Sequence, residues 1–407
     1  MTPDLEKAFA GEGAVAPPHV FLVAVEESGD RLGSALMRAL RERRADIRFS
    51  GVGGHEMSAA GLKSLHGIDD FSIFGFTASP ARLPKILRHL RETVQAVRAD
   101  RPDVLVIIDS PGYTLWVARV VHRLDRTIPI VDYVSPSVWA WRPWRARSMR
   151  RYIDHVLALL PFEPDVHRKL GGPACSYVGH PLIEEVGRMR PDPGDERRRL
   201  ADPPVLLVLP GSRSGEVRRL AGVFGQTVAL VRDRIGPIEV VVPTVPHRRA
   251  QVTEATAGWP VPARVVVGHD DKLAALRVAR AALAKSGTIT LELALAGVPM
   301  VAAYQVSALE AFVARRMVRV PSFILANLVV SENVVPELVQ EECTPERLAA
   351  ALIPLFNDTP ERRRQIAAFA KLDAIMEIGA RAPAARAAEI VLAAAQPRAP
   401  AGAGAIR

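Results

Sequence analysis

The chain has 407 residues, of which 49% are hydrophobic and 24% charged, a composition typical of globular proteins with sizeable cores. This length suits two domains better than one, and the formal net charge of +9 favours an anionic partner. Nucleic acid ranks behind an anionic membrane and a phosphorylated substrate, because no helix-turn-helix, zinc or RNA-binding signature is present.

The chain ends and the cysteines predict a cytosolic protein. No apolar run approaches the ~20 residues that a membrane-spanning helix needs. Residues 1–18 contain acids and no apolar centre, so we expect a flexible leader and not a signal peptide. Cys175 and Cys343 are far apart and in no metal-ligand spacing, which predicts buried thiols in a reducing compartment.

The first predicted unit is a buried strand over 19–25, followed by a polar loop and a helix over about 31–43. This order opens a Rossmann-like unit, although the GxGxxG phosphate fingerprint is absent. The acidic loop suits sugar hydroxyls better than a phosphate, and an ordinary helix N-cap is the alternative for its last acid. Its candidate binding residues are Glu26, Ser28, Gly29 and Asp30.

A second strand over 47–52 ends in glycines, where the backbone can come close to a ligand. A phenylalanine-rich loop follows, and then a basic amphipathic helix over 83–97. Together they predict a patch that contacts a membrane surface, and the alternative is a surface helix with a core-facing stripe. The candidate patch residues are Phe74, Phe76, Leu83, Ile86 and Leu87.

The third strand, 104–108, consists of five apolar residues closed by Asp109 and turn residues. Such a run predicts a buried parallel strand, and a helix is expected after it. Asp109 therefore lies at the edge where ligands bind in open α/β sheets. A carboxylate there is a candidate general base, whereas a helix cap or a loop acid is the plainer interpretation of these residues alone.

A strand over 128–134 is followed by Trp139, Trp141 and Trp144, next to five arginines within ten residues. Such a cluster can stack on a sugar, hold a phosphate or enter a lipid interface. The alternative is a packed loop followed by a solvated basic helix. We favour a functional role, because buried tryptophans seldom cluster on loops that prolines interrupt.

Two further strands complete the first predicted domain, 19–189, and the stretch 190–204, rich in proline and charge, predicts a linker. The second domain, 205–359, begins with a strand, a turn and a helix from about 216. Backbone N–H groups at this helix start, together with Arg213, predict an anion site. Its candidate residues are Gly211, Ser212 and Arg213.

The second domain continues with four more predicted strands. Between the last two, Ser286, Gly287 and Thr288 end a strand and open a helix, with Glu292 one turn later. Small residues with available N–H groups can hold a diphosphate, and an acid so placed suits the two hydroxyls of a ribose. After about residue 345 we expect only helices, and a disordered tail over 396–407. The strands are 238–242, 264–267, 281–284 and 300–303.

Two Rossmann-like halves, a candidate base, a diphosphate cradle and no metal motif describe the nucleotide-sugar glycosyltransferases of the GT-B type. More narrowly, the chain resembles the lipid-A-disaccharide synthase family over nearly its whole length. The specific motifs are the run from Tyr133 to Trp141 and Leu209-Pro-Gly-Ser-Arg213 followed by Glu216-Val217. The weaker motifs, in chain order, are Glu26-x-Ser-Gly-Asp30, Ile108-Asp109-x-Pro111, Leu160-Pro-Phe-Glu163, Gly179-His180, Ser286-Gly-Thr288 with Glu292, Asn327-Leu328 and Gln340-Glu-Glu-Cys343.

The resemblance implies an α/β protein of GT-B fold, with two Rossmann-like domains facing a central cleft and C-terminal helices, 360–395, crossing back to the first domain. It implies an inverting transfer without metal or cofactor. UDP-2,3-diacylglucosamine and 2,3-diacylglucosamine 1-phosphate would give a β-1,6-linked disaccharide 1-phosphate and UDP. Asp109 would take the proton from the acceptor 6-hydroxyl, and Arg213 would neutralise the departing diphosphate.

The same resemblance assigns the remaining candidates to the two substrates. Because both substrates carry acyl chains, it also implies peripheral binding to lipids on the cytoplasmic face of the inner membrane. The implied donor contacts are Gly211, Ser212, Arg213, Ser286, Gly287, Thr288, Glu292 and Asn327. The implied acceptor contacts are Glu26, Ser28, Gly29, Asp30, Ser137 and Trp139.

Three positions depart from the family pattern. Val25 stands where the family usually has glycine, and Gly112 and Thr114 stand where it usually has aspartate and asparagine. Two alternatives stay open, of which these departures motivate the second. One is another UDP-N-acetylglucosamine enzyme of the same fold, either a cell-wall transferase or a 2-epimerase. The other is a catalytically idle relative that binds membranes.

Overall fold

The computed structural model describes residues 17–71, 83–307, 311 and 322–396. Within them the chain forms two parallel sheets of six strands each, with helices between the strands. The first sheet contains β1 (His19–Ala24), β2 (Arg48–Val52), β3 (Val104–Ile108), β4 (Ile130–Tyr133), β5 (His155–Ala158) and β6 (Ala174–Tyr177). The second contains β7 (Val205–Leu209), β8 (Glu239–Thr244), β9 (Ala263–Val267), β10 (Ala281–Lys285), β11 (Met300–Tyr304) and β12 (Glu337–Val339).

Helices cover both faces of each sheet, which explains why the central strands are continuous apolar runs. In the first half they are α1 (Glu27–Arg43), α2 (His55–Ala59), α3 (Leu83–Asp100), α4 (Thr114–Leu124), α5 (Trp144–Met149), α6 (Glu163–Leu170), α7 (Leu182–Met189) and α8 (Pro193–Leu200). In the second half they are α9 (Ser214–Ile235), α10 (Arg249–Ala257), α11 (His269–Val278), α12 (Ile289–Leu295), α13 (Leu325–Val330), α14 (Pro345–Leu352), α15 (Pro360–Ala370), α16 (Leu372–Ile375) and α17 (Pro383–Ala394). Short 3₁₀ helices lie at Ile68–Phe71, Pro246–Arg248, Gln340–Glu342 and Ile353–Phe356.

The strand order places a ligand-binding edge in each sheet. The order is β2-β1-β3-β4-β5-β6 in the first sheet and β12-β11-β10-β7-β8-β9 in the second. The direction of winding therefore reverses between β1 and β3, and again between β7 and β10. Ala24 pairs with Ile108 and Leu209 pairs with Ala284, so both strands of each pair end side by side. Ligands bind at such switch points in open α/β sheets.

The predicted strands are confirmed, and β12 is an addition that the sequence analysis does not contain. The predicted linker, 190–204, contains the helix α8. Asp192 caps α8 by accepting the backbone N–H groups of Gly194 and Asp195, at 2.7 and 2.8 Å. The buried Arg199 donates to backbone carbonyls of α11 and of the turn after α12, so α8 packs on the second domain.

The predicted crossing of the C-terminal helices is confirmed for α17. Its buried residues Ala387, Ala388 and Val391 lie in the first-domain core beside α1, where small side chains permit close packing. By contrast, α15 and α16 pack on the second domain, since the Gln365 side chain bonds both backbone groups of Met300, at 2.8 and 3.0 Å. The crossing therefore occurs after residue 375.

Both cysteines are free thiols in the structure, as the spacing predicts. Cys343 is buried and Cys175 is half-buried. Burial raises the pKa of the Cys343 thiol to about 11, which keeps it protonated and unreactive near neutral pH. Most of the predicted leader and tail lie outside the described residues.

Candidate active site

The turn that carries Asp109 is strained and firmly held. Asp109 directly follows β3, with φ of +56° there and +47° at Ser110, both in the left-handed region. The Asp109 N–H donates to the Tyr133 carbonyl at 2.9 Å, and the Thr114 hydroxyl donates to the Asp109 carbonyl at 2.6 Å. Strain of this kind is typical of functional sites. Thr114, a departure from the family pattern, thus supports the turn.

The Asp109 carboxylate is oriented by two hydrogen-bond donors. Ser28 Oγ donates to Oδ2 at 2.7 Å, and the Ser110 N–H donates to Oδ1 at 2.7 Å. A carboxylate oxygen accepts more than one hydrogen bond, so a substrate hydroxyl can still reach it. Gly29 makes this arrangement possible, because a Cβ there would lie 3.1 Å from the Ile108 carbonyl oxygen. Without a side chain at Gly29, α1 packs closely over the end of β3.

Glu26 connects the candidate base electrostatically with the second domain. Burial raises the pKa of Glu26 above its usual value. The Asp109 carboxylate also raises the Glu26 pKa, whereas the Ser110 hydroxyl and the Arg213 guanidinium lower it. Arg213 follows β7 at the switch point of the second sheet, and its charge acts on Glu26 from there. Glu26 is therefore influenced by both the candidate base and the candidate phosphate ligand.

Asp30 has a structural role that the sequence analysis does not contain. Its buried carboxylate accepts the backbone N–H groups of Gly54, Glu56 and Met57, at 2.7, 2.8 and 3.0 Å. These are donors at the start of α2, so Asp30 caps the next helix and not its own. Oδ1 accepts two of these bonds and Oδ2 accepts one, and an acceptor contact by Asp30 stays a prediction.

Asp30→Ala is expected to lower the free energy of unfolding by about 1–2 kcal/mol, the usual effect of losing a helix cap. Urea unfolding at constant pH measures this difference. The matched control is Glu27→Ala, an exposed acid in the same turn of α1, which should leave stability within about 0.5 kcal/mol of wild type. Equal stability of Asp30→Ala and wild type would contradict the structural role.

Trp139 packs between the two domains. Its indole N–H donates to Glu163 Oε1 at 3.3 Å, and its ring meets Phe162 edge-on with 5.6 Å between centroids. Both aromatic rings pack against the hydrophobic cluster on one face of the second sheet. Ser137 is exposed, and its carbonyl accepts the N–H groups of Ala140 and Trp141. The contacts of Trp139 favour a role in the interface between the domains.

The rest of the tryptophan cluster is more accessible. The Arg142 guanidinium lies 4.2 Å from the centroid of the Trp141 ring, in a cation–π contact. Trp144 begins α5 with 63% of its surface exposed. Trp139 is therefore packed, as the alternative of a packed loop predicts, whereas the basic and aromatic end of the loop is exposed, as a functional cluster requires.

We expect stability to depend on pH through Glu163. Burial raises the pKa of Glu163 to about 7 from 4.5, although the Leu160 N–H and the Trp139 indole favour its ionised form. A carboxyl group whose pKa is higher in the folded state than in the unfolded state stabilises the fold at pH values below its unfolded-state pKa. This contribution is lost as the pH rises through the folded-state pKa. As the pH rises from 4.5 to 7, the free energy of unfolding of the wild type should fall by up to about 3 kcal/mol relative to that of Glu163→Gln.

Urea unfolding of both proteins across this pH range measures the difference. Glu196→Gln on α8 is the control, because this exposed acid should give a constant difference from wild type. A difference between wild type and Glu163→Gln that does not change with pH would contradict the prediction.

In the second domain, the Glu216 carboxylate lies at the start of α9, where the sequence predicts an anion site. Glu216 Oε2 accepts the backbone N–H groups of Ser212 and Arg213, both at 3.2 Å. Gly211 has φ of +119°, and a Cβ there would lie 2.5 Å from Glu216 Oε2, so the loop requires glycine. These two N–H groups already have a carboxylate partner. They are therefore not available to a diphosphate while Glu216 holds this position.

Lys285 and Arg213 supply positive charge beside Glu216. Lys285 Nζ lies 3.0 Å from Glu216 Oε1, and the Arg213 guanidinium is 81% exposed. Burial alone would raise the pKa of Glu216, but Lys285, helped by Arg213, holds it below its usual value. Lys285 is not among the site residues predicted from the sequence. The signal for it is a lysine that ends an otherwise apolar strand.

The Ser-Gly-Thr segment is only partly available to a ligand. Ser286 Oγ donates to Glu337 Oε1 at 3.2 Å, whereas Thr288 is exposed at the start of α12. Gly287 is half-buried beside Lys285. Glu292 forms an ion pair with Lys272 of α11, which fixes its carboxylate near the cleft. Sequence reasoning missed Glu337 and Lys272, because both come from distant segments.

Asn327 is fully engaged with its own loop. Its amide donates to Ser322 Oγ at 3.2 Å and to the Val335 carbonyl at 3.0 Å. Its Oδ1 accepts the backbone N–H groups of Val334 and Val335, at 3.1 and 3.0 Å. These four bonds use the whole capacity of the side chain. Asn327 thus holds the segment before β12, and a donor contact stays a prediction.

The predicted membrane patch is described in part. Phe74 and Phe76 lie outside the described residues. Leu83 at the start of α3 is 50% exposed, whereas Ile86 and Leu87 are half-buried and Ile86 packs on the first-domain core. In the part of the chain that the structure covers, no helix has both the length and the apolar composition required to cross a membrane.

Known proteins resemble this chain in fold and in sequence. The GT-B fold is shared with A. baumannii MurG, at a TM-score of 0.58 and 16% sequence identity, covering 93% of this chain and 100% of MurG. It is also shared with an S. aureus MnaA–UDP complex, at a TM-score of 0.58 and 13% sequence identity, covering 92% of this chain and 95% of MnaA. The lipid-A-disaccharide synthase of Nitrobacter winogradskyi is 60% identical to this chain, and the alignment covers 92% of this chain and 94% of that protein. The lipid-A-disaccharide synthase of Bradyrhizobium diazoefficiens is 57% identical, and the alignment covers 92% of this chain and 96% of that protein. A family model described as lipid-A-disaccharide synthetase matches residues 20–391. The chain therefore belongs to the lipid-A-disaccharide synthetase family.

Proposed function

We propose that the protein joins two acylated glucosamines in lipid A biosynthesis. UDP-2,3-diacylglucosamine is the donor, 2,3-diacylglucosamine 1-phosphate is the acceptor, and the products are a β-1,6-linked disaccharide 1-phosphate and UDP. Family membership supports the activity. The observation that carries the residue roles is Asp109, held by Ser28 and Ser110 at the switch point of the first sheet.

The proposed chemistry is a single displacement. The acceptor 6-hydroxyl oxygen forms a bond to the anomeric carbon of the donor while Asp109 takes its proton. The bond between that carbon and the diphosphate oxygen breaks, and its electron pair leaves with UDP. Attack on the face opposite the leaving group inverts the anomeric centre. The Asp109 carboxylate needs only hydrogen-bond distance to the hydroxyl.

Charge on the departing diphosphate is balanced by side chains of the second domain. Arg213 presents an exposed guanidinium that can bind two phosphate oxygens, and Lys285 lies behind it against Glu216. Preorganised cations of this kind stabilise developing negative charge without reorganising during the reaction. We propose that these two cations serve the transfer without a bound metal or cofactor. Glu292, fixed by Lys272, is the proposed partner of the ribose hydroxyls.

We also propose that the protein acts as a peripheral protein on the cytoplasmic face of the inner membrane, where its acylated substrates reside. Leu83 is the exposed apolar residue of α3, and Lys85 and Arg88 follow it on the same helix. Apolar insertion beside basic side chains is the usual mode of binding to anionic bilayers.

Leu83→Ser is expected to weaken binding to vesicles that contain phosphatidylglycerol, because it removes an apolar side chain from the contact. Co-sedimentation with such vesicles measures the bound fraction. Leu124→Ser is the matched control, since Leu124 is 52% exposed at the end of α4. Equal loss in both variants would contradict a patch at the start of α3.

The decisive test of the activity uses both acylated substrates in detergent. We expect UDP release, and a product whose mass equals that of the donor plus that of the acceptor minus that of UDP. Turnover of unacylated UDP-N-acetylglucosamine instead would favour another enzyme of this fold. Vesicle binding without turnover of any UDP-sugar, beside an active synthase as control, would indicate an idle relative.

A further inference from the structure

Three potential metal ligands meet on the first domain, outside the site described above. His89 and Glu92 lie three residues apart on α3, so they share one face of that helix. His66 comes from the segment that follows α2. His89 Nδ1 lies 3.3 Å from Glu92 Oε2, and His66 Nε2 lies 3.6 Å from the same oxygen.

The spacing of these atoms fits a tetrahedral metal ion. All three ligand atoms lie within 4.8 Å of one another. Zinc bonds of roughly 2.0–2.2 Å to imidazole nitrogen and carboxylate oxygen place neighbouring ligand atoms about 3.3–3.5 Å apart. The separation between His89 Nδ1 and Glu92 Oε2 falls in this range, and that between His66 Nε2 and Glu92 Oε2 exceeds it by about 0.1 Å. Two imidazoles and one carboxylate form a known zinc ligand set with a fourth position open.

The surroundings also suit a metal ion. The side chains of His66 and His89 are only 10% and 7% exposed, so burial limits competition from water. Glu92 is 44% exposed, which gives an ion a route of entry. Its other oxygen, Oε1, lies 3.8 Å from Arg88 Nε, which can orient the carboxylate from outside. Among the described residues, no other three side chains of metal-binding type come together in this way.

We propose that His66, His89 and Glu92 bind one divalent transition-metal ion, with Zn²⁺ as the best-fitting candidate. The ion would link the segment after α2 to α3. His66 lines a cavity of about 550 Å³ that also includes Asp30 and Gly54. The His89 ring lies 5.3 Å from Phe71, whose ring lies 4.8 Å from Tyr113, four residues after Asp109. The ion thus braces the acceptor side of the first domain and takes no part in sugar transfer.

The test uses the full chain and the metals alone. Calorimetric titration with Zn²⁺ should give one ion per chain, and Co²⁺ should give the visible absorption of a four-coordinate ion. Glu92→Gln and His66→Gln should each weaken Zn²⁺ binding at least about tenfold, because loss of even an outer-shell partner has that effect. At the same concentration, Zn²⁺ should raise the Tm of the wild type more than that of Glu92→Gln.

The matched control is His55→Gln, because His55 is an exposed histidine that lines the same cavity. It should bind Zn²⁺ as the wild type does. Glu92 is half-exposed, so its variant should fold, and far-UV circular dichroism verifies this. No stoichiometric Zn²⁺ binding by the wild type would overturn the proposal. So would unchanged affinity in both ligand variants, or equal loss in His55→Gln.

Discussion

Asp109→Asn should lower kcat about 10²–10⁴-fold, the usual contribution of a general base, and leave the affinity for UDP unchanged. The amide cannot take the proton of the acceptor hydroxyl. The UDP contacts that we propose lie on the second domain and do not include Asp109, so we expect this substitution to leave them intact. Rates of UDP release and calorimetric titration with UDP measure the two quantities separately.

The choice of asparagine keeps the backbone intact. Asp109 has φ of +56°, and asparagine tolerates this region better than most residues do. Ser28→Ala is the companion variant, because it removes one donor to Oδ2 and keeps the carboxylate. We expect Ser28→Ala to lower kcat only about tenfold, in line with one charged hydrogen bond. Full activity of Asp109→Asn would remove Asp109 from the mechanism.

Arg213→Ala should lower kcat about 10²–10³-fold, as loss of one preorganised donor to a developing anion does. It should also weaken UDP binding by about tenfold or more, because a charged hydrogen bond to phosphate is lost. Lys285 remains beside Glu216, so residual UDP binding is expected. The same two assays apply, and the loss in both quantities distinguishes Arg213 from Asp109.

Arg218→Ala is the control for net charge. Arg218 is exposed on the first turns of α9, five residues after Arg213, and makes none of the cleft contacts described above. It should bind UDP and turn over as wild type does. If both arginine variants lose UDP affinity equally, the effect is general electrostatic attraction and not a specific contact.

The sequence by itself determined the two parallel sheets and the positions of their central residues. Runs such as Val104–Ile108 must be buried on both faces, and turn residues after them fix where each strand ends. Because switch points lie at those ends, Asp109 and Arg213 could be placed at ligand-binding edges from local pattern alone. The family resemblance then supplied the chemistry, and family membership is confirmed.

Only the tertiary structure decided which polar groups are already engaged. Asp30 caps α2, Glu216 takes the N–H groups predicted for phosphate, and Asn327 holds its own loop. The partners of Asp30 lie on another helix, those of Asn327 follow a turn, and those of Glu216 lie just before it in the same turn. Hydrophobic periodicity carries no information about any of them. Strand ends follow from local pattern, whereas the pairing of buried polar groups depends on distances between segments that meet only in the folded chain.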